Sequence, residues 1–246
     1  MKPSAIKRYV ENDYLKEFEI AFTHPTINPD SNYEFYEIIG DSVVNKSIVY
    51  YYQDRFPQLR NPKAVPFLDK LKQTGISKRS LSSFANKLNF LEHIRADDKT
   101  KKEEKNKILE DVFEAFCGCL ELMINRDYYL VGSIFVYNFI KSVADNEHLS
   151  LMVEDLWDPK TRLKEFKDRH REKNPEIVED KRDEEKKFNI ILSFTVKGNK
   201  FFGKGRGLTK QDAEKYASKE IINELIRKGI WIETQKELNE VLGILE

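Results

Sequence analysis

The sequence predicts two domains of different class: an all-α domain followed by a small α+β domain ordered α-β-β-β-α. Three observations carry this. Apolar positions in the first 147 residues recur with helical period, most clearly in Asn32–Val44 and Lys107–Glu121. From Phe188 the pattern changes to strict alternation, with Phe188, Ile190, Leu192, Phe194 and Val196 apolar, which is the signature of a half-buried strand. Between these regions Asp158-Pro159 offers an N-cap followed by proline at N1, a helix start.

In chain order, Ala5–Ala21 reads as a helix, followed by the turn-rich THPTINPDSN. A helix running from Asn32 through Tyr52 to Arg55 is broken by PQLRNP. Ala64–Gly75 and Lys78–Leu88 are two further amphipathic helices, and Ala96–Asn106 a charged, solvated loop. Lys107–Glu121 and Tyr128–Asp145 complete the helical set. After the linker, Asp158–His170 is helical and Arg171–Lys187 a charged, mobile loop. The strand from Phe188 then turns at Lys197-Gly198-Asn199 into a second strand, KFFGKG. A further strand is expected between it and a last helix capped by Thr209.

The acids of the first domain are its most informative residues. Glu34, Glu37 and Asp41 fall within about a 60° arc of their helix, while Phe35, Tyr36, Ile38, Ile39, Val43, Val44, Ile48 and Val49 crowd the rest. A helix apolar nearly all round is expected to be buried. Buried carboxylates pair or bind metal, and no Lys or Arg lies between Lys16 and Lys46. On the second helix Asp111 and Glu114 share a face with Ala115 and Gly118, small residues that let another helix approach. Brought face to face, the two helices give an all-oxygen donor set, suited to a hard ion such as Mg²⁺ rather than zinc.

Composition excludes some classes. The 246 residues are 34% charged and 40% hydrophobic, as for a soluble protein with a real core, and no apolar run reaches the length of a membrane span. The first residues lack a signal peptide's apolar region, so an intracellular, cytoplasmic protein without membrane contact is expected. Cys117 and Cys119 point about 160° apart on one helix and read as core residues of a reducing compartment. Net charge is zero, but residues 197–228 hold nine basic and four acidic side chains, a local patch compatible with phosphates. The glycines of GKGRG are expected to be exposed, letting backbone amides approach phosphate at a helix N-terminus.

NYEFYEIIGDSVV resembles the signature helix of the ribonuclease III family, and KILEDVFEAFCGCLE its second acidic helix. The resemblance covers residues 1–147 and implies that Glu37, Asp41, Asp111 and Glu114 are metal ligands. Asp41 and Glu114 would be the catalytic pair, with Glu114 bridging two Mg²⁺ ions and Mn²⁺ as a substitute. Glu34 falls on the signature's first acid. Asn45, one turn beyond Asp41, either orients a water or is ordinary helix polarity. Lys107 stands where Dicer-type domains have a lysine and either touches a phosphate or is surface. His24 matches a family histidine and is read as structural. The family's glutamate near Phe67 has no counterpart.

GKGRGLTKQDAEKYAS resembles the end of a double-stranded RNA-binding domain, which places that domain at 158–230, the linker at 148–157 and a C-terminal extension at 231–246. It implies RNA contacts from Thr161, Lys164 and Glu165 on the first helix and from Thr209, Lys210 and Lys215 on the last. Gln211 replaces a family lysine, and DKRDEEKKF stands where the family has a GPxH loop, so both contacts are expected to be weakened. The implied function is a homodimeric endoribonuclease that cleaves double-stranded RNA by two-metal phosphodiester hydrolysis, leaving short 3′ overhangs. The alternative is a non-catalytic double-stranded-RNA-binding protein on the same fold. Trp231 and Leu238–Leu245 are expected to form a short packing helix whose role the sequence does not give.

Overall fold

The computed structural model describes residues 14–146, 156–231 and 239–240. The beginning of the first expected helix, most of the linker and nearly all of the C-terminal extension lie outside them. The chain divides into two compact units, Met1–Leu149 and Ser150–Glu246.

The described part of the first unit is helical: α1 (Tyr14–Ala21), α2 (Glu34–Arg55), α3 (Val65–Gly75), α4 (Lys78–Lys87), α5 (Phe90–His93), α6 (Asp98–Glu103), α7 (Lys105–Asp127) and α8 (Gly132–Ala144). Asn32 fixes where α2 begins. Its side-chain oxygen accepts the Glu34 N–H at 3.0 Å, and its amide donates to the carbonyls of Asn28 and Pro29. Before it, Thr23 and Arg95 form a parallel bridge that pins the THPT turn to the segment after α5.

Helices α2 and α7 cross with their backbones touching. A Cβ built on Gly40 would lie 1.8 Å from the Glu114 carbonyl oxygen, and one on Gly118 would lie 2.2 Å from that of Tyr36. Only glycine permits that approach. Around the crossing Val43, Val44, Ile48, Val112, Phe113 and Ala115 are buried, and an aromatic cluster of Phe18, Phe22, Phe90, Phe113, Phe116 and Phe139 closes the other side of α7.

Several expectations change here. Helix α2 is not buried all round: Phe35 is 63% and Ile38 72% exposed. Both remain uncovered among the described residues. The charged loop 96–106 contains α6, because Asp97 accepts the Thr100 N–H at 3.0 Å and starts a turn. The last helix begins at Gly132 rather than Tyr128. Leu130 takes φ 60°, incompatible with a right-handed helix, and Asn125 accepts the Gly132 N–H at 2.8 Å. Phe67 is a core residue, and Cys117 and Cys119 are both buried and free.

The second unit is α9 (Pro159–His170), a three-stranded antiparallel sheet ordered β1 (Glu176–Arg182), β2 (Phe188–Val196), β3 (Asn199–Gly207), and α10 (Lys210–Arg227). Asp158 caps α9 as expected, accepting the Lys160 N–H at 3.0 Å. The extra strand lies before Phe188, inside the segment read as a mobile loop, and not after KFFGKG. Its sequence EIVEDKR carries almost no alternation because it is an exposed edge strand with a bulge after Ile177. Lys197 (φ 48°) and Gly198 (φ 80°) form the two-residue hairpin turn.

Gly203 and Gly205 of β3 are buried, not exposed. A Cβ on either would meet the Ala217 or Ala213 carbonyl at 2.0 or 1.8 Å, so they seat α10 on the sheet rather than open the backbone to phosphate. The core contains Leu163, Phe166, Ile190, Phe194, Ala213, Ile221 and Leu225. Trp231, expected in the extension, belongs to it: its ring stacks on Phe166 at 4.4 Å, with the Arg162 guanidinium over its face.

Candidate active site and nucleic-acid interface

The α2–α7 crossing brings the sequence-predicted acids into one field. Gly40 lets Glu114 sit against α2, and Glu114 feels Asp41, Glu110, Glu37 and Asp111 together. Burial, then those four charges, pushes its carboxyl up to about 8. Glu37 rises to about 7 through burial and the charges of Asp111 and Glu34, with Lys107 opposing. Asp111, 7% exposed, is also raised by burial, against a hydrogen bond from Tyr33 and the charges of Lys107, Lys78 and His24. Carboxylates pushed up by burial, and for Glu37 and Glu114 also by one another, mark a place where added positive charge is welcome.

The surrounding groups hold the acids in position. Tyr33 donates its hydroxyl to Asp111 Oδ2 at 3.0 Å, and the His24 ring packs edge-on to Tyr33 at 5.6 Å. Asn45 donates to both Asp41 Oδ1 and the Asp41 carbonyl at 2.8 Å, so it positions a carboxylate rather than standing free to hold a water. Lys107 lies 3.8 Å from Glu104 and is well exposed, while Lys78 pairs with Glu110 at 3.3 Å. Glu34 is exposed at the edge of the group. Sequence reasoning missed Tyr33 and Lys78. Both act across the fold, and nothing local in the sequence signals them.

A divalent ion fits the donor chemistry: four carboxylates, no thiolate or imidazole among them, and a deficit of cations. Among the described residues no three His, Cys, Asp or Glu side chains close around a single ion-sized point. The acids share a field without forming a closed cage.

In the second unit Thr161 is half buried on the first turn of α9, with Lys164 and Glu165 exposed one turn on. Thr209 forms a capping box with Asp212 at the start of α10. Lys210 Nζ lies 2.7 Å from Asp180 Oδ2, whose hydrogen bond and charge raise the ammonium above its usual range. Lys215 lies 3.5 Å from Asp158, and Lys160 is paired with Glu214.

Comparison with known proteins gives these two units their class. Residues 34–123 match the Ribonuclease III domain and residues 159–225 the double-stranded RNA binding motif, the make-up of a ribonuclease III-type endoribonuclease. A frog virus 3 protein provisionally named ribonuclease 3 is 34% identical over 213 residues, 85% of this chain and 56% of its own length. One of the same provisional name from Invertebrate iridescent virus 6 is 31% identical over 87% of this chain and 79% of its own length. Ribonuclease 3 of Limosilactobacillus reuteri is 28% identical over 88% of this chain and 97% of its own length. The chain belongs to the ribonuclease III family, which is metal-dependent. None of its described helices is long and apolar enough to cross a membrane.

Proposed function

We propose that the protein hydrolyses double-stranded RNA with Glu37, Asp41, Asp111 and Glu114 as ligands of two Mg²⁺ ions, Mn²⁺ substituting. The observation that carries this is the α2–α7 crossing, where four carboxylates share one electrostatic field with few cations and two of them are raised to about 7 and 8. Such ions, when bound, supply the charge that activates water and stabilises the leaving 3′ oxygen in an in-line displacement. The chain's own part is to hold the carboxylates: Tyr33 fixes Asp111 and Asn45 fixes Asp41. Lys107, exposed beside Glu104, is the cation assigned to meet a phosphate on this reading.

On this reading residues 1–147 cut, 148–157 link, 158–230 recruit duplex RNA, gripping it through Thr161, Lys164 and Glu165 with Thr209, Lys210 and Lys215 at the edge of the surface, and 231–246 extend the second unit. A-form duplexes are read through shape, 2′-hydroxyls and phosphates, which suits a surface with few base-reading side chains. One acid cluster per chain cuts one strand, so two chains in a homodimer make staggered cuts with short 3′ overhangs. The exposed Phe35 and Ile38 on α2 support that assembly. Buried free thiols support a reducing, cytoplasmic setting.

The test incubates purified protein with long duplex RNA in Mg²⁺, in Mn²⁺ and in chelator, following binding and products together. Short duplexes with 3′ overhangs in the metal lanes alone support the reading. Tight binding without cutting in any lane moves the protein to the non-catalytic alternative.

A further inference from the structure

The cations at the β3–α10 end of the second unit are already engaged by its own acids. Lys210 Nζ lies 2.7 Å from Asp180, and Arg206 Nε lies 2.7 Å from Asp183, with its Nη2 3.1 Å from Glu185. All three carboxylates come from one run, EDKRDEE, spanning the end of β1 and the turn into β2. The run is organised. Asp183 also accepts the Lys187 N–H at 2.9 Å, and Lys187 Nζ holds Glu185 at 2.6 Å. Lys164 on α9, by contrast, is exposed and carries no ion pair among the described residues.

We propose that Asp180, Asp183 and Glu185 are affinity-setting residues of the RNA-binding surface: they hold Lys210 and Arg206 where duplex phosphates would bind. The inference rests on the reading that the second unit takes duplex RNA. A cation that meets a free phosphate releases counterions from the nucleic acid, which makes binding tight at low salt and steeply salt-dependent. Here a phosphate reaching Lys210 or Arg206 must first displace a carboxylate. The displaced acid then stands beside the phosphate and calls back a cation, cancelling the release. The surface therefore grips duplex RNA through α9 around Lys164 and gains little at the α10 N-terminus. The Asp180 and Glu185 pairs are largely exposed and contribute little to stability, so neutralising them changes binding rather than folding, whereas Asp183 is partly buried and also holds the turn.

The experiment measures binding of the full chain to a fluorescent RNA duplex in chelator, across a salt series. Asp180→Asn/Asp183→Asn/Glu185→Gln is expected to bind about tenfold tighter at about 100 mM salt, with a slope of log K on log salt steeper by about one to two. Lys210→Gln should cost less than about twofold in the wild type but about tenfold in the triple variant, because only there is the lysine free. Equal affinity and slope for wild type and triple variant overturn the inference and leave the RNA-binding reading standing. So does a Lys210→Gln penalty that is equal in both. Absence of duplex binding by wild type and triple variant alike overturns both readings. If loss of the Asp183 turn contact lowers the melting temperature, Asp180→Asn/Glu185→Gln gives the same comparison with that contact kept, and a partial gain is expected.

Discussion

Glu114 sits among Asp41, Glu110, Glu37 and Asp111 and holds its proton up to about pH 8. Replacing it with glutamine removes a carboxyl that the metal-free fold must either keep protonated or bury charged. Glu114→Gln should therefore raise the melting temperature in chelator by a few degrees, equivalent to about 1 kcal/mol, while duplex cleavage in Mg²⁺ falls by at least about a thousandfold and duplex binding stays close to wild type. Undiminished cutting by this variant removes Glu114 from the site. The same groups set a pH dependence. Glu37 and Glu114 titrate at about 7 and 8 in the folded chain, against an ordinary 4.5. The folded state therefore keeps protons that the unfolded chain releases, and stability falls as pH rises through that interval. Melting in chelator should drop from about pH 5.5 to 8.5, and the drop should shrink in Glu114→Gln. Added Mg²⁺ should stabilise more at the alkaline end, where these carboxylates are free to receive it. A flat melting profile would show that burial and neighbouring charge do not raise these acids in the folded chain.

The α2–α7 crossing depends on two hydrogens. At Gly118 a methyl group would press 2.2 Å from the Tyr36 carbonyl and 2.7 Å from the Gly40 nitrogen, all backbone and unable to swing aside. Gly118→Ala should cost about 3 kcal/mol, at the upper end for overpacking, and reduce cleavage further by spreading the acids. Denaturant unfolding with a Mg²⁺ titration checks both. Gly118 was legible in advance because it sits with Ala115 on the face of Asp111 and Glu114, a pattern internal to one helix. Most helices and the capped starts at Asp158 and Thr209 were legible for the same reason: their signals are local. The rest was not. Strand β1 gives no alternation because neither of its faces is buried, and Phe35 and Ile38 carry no mark separating a core residue from an exposed one. Tyr33 reaches Asp111 across 78 positions, and Gly203 and Gly205 looked like phosphate-cradling glycines although their neighbour is a helix backbone. Short-range pattern shows which elements form; which face meets which depends on distant partners.

For the whole molecule, the proposed site has a single set of Glu37, Asp41, Asp111 and Glu114 per chain, so on that proposal cutting both strands in one encounter takes two chains, most simply about a two-fold axis. Mixed dimers of tagged wild-type and untagged Glu114→Gln chains, co-purified after subunit exchange, should nick one strand, seen as cuts on denaturing gels with intact duplex on native gels. Double-strand breaks from those dimers would show that one chain cuts both strands. The packing of Trp231 on Phe166 has an optical consequence. The sequence contains two tryptophans, and both Trp157 and Trp231 are buried residues of the second unit. Excitation at the red edge of the indole band, where tyrosine no longer absorbs, therefore addresses the RNA-binding half alone, while the nuclease half, rich in tyrosine and phenylalanine, stays dark. Indole emission followed through a thermal ramp, beside far-ultraviolet dichroism of the entire chain, should resolve whether the halves melt together or separately. It should also show which half an RNA duplex or a divalent ion protects, without cutting the chain or attaching a dye.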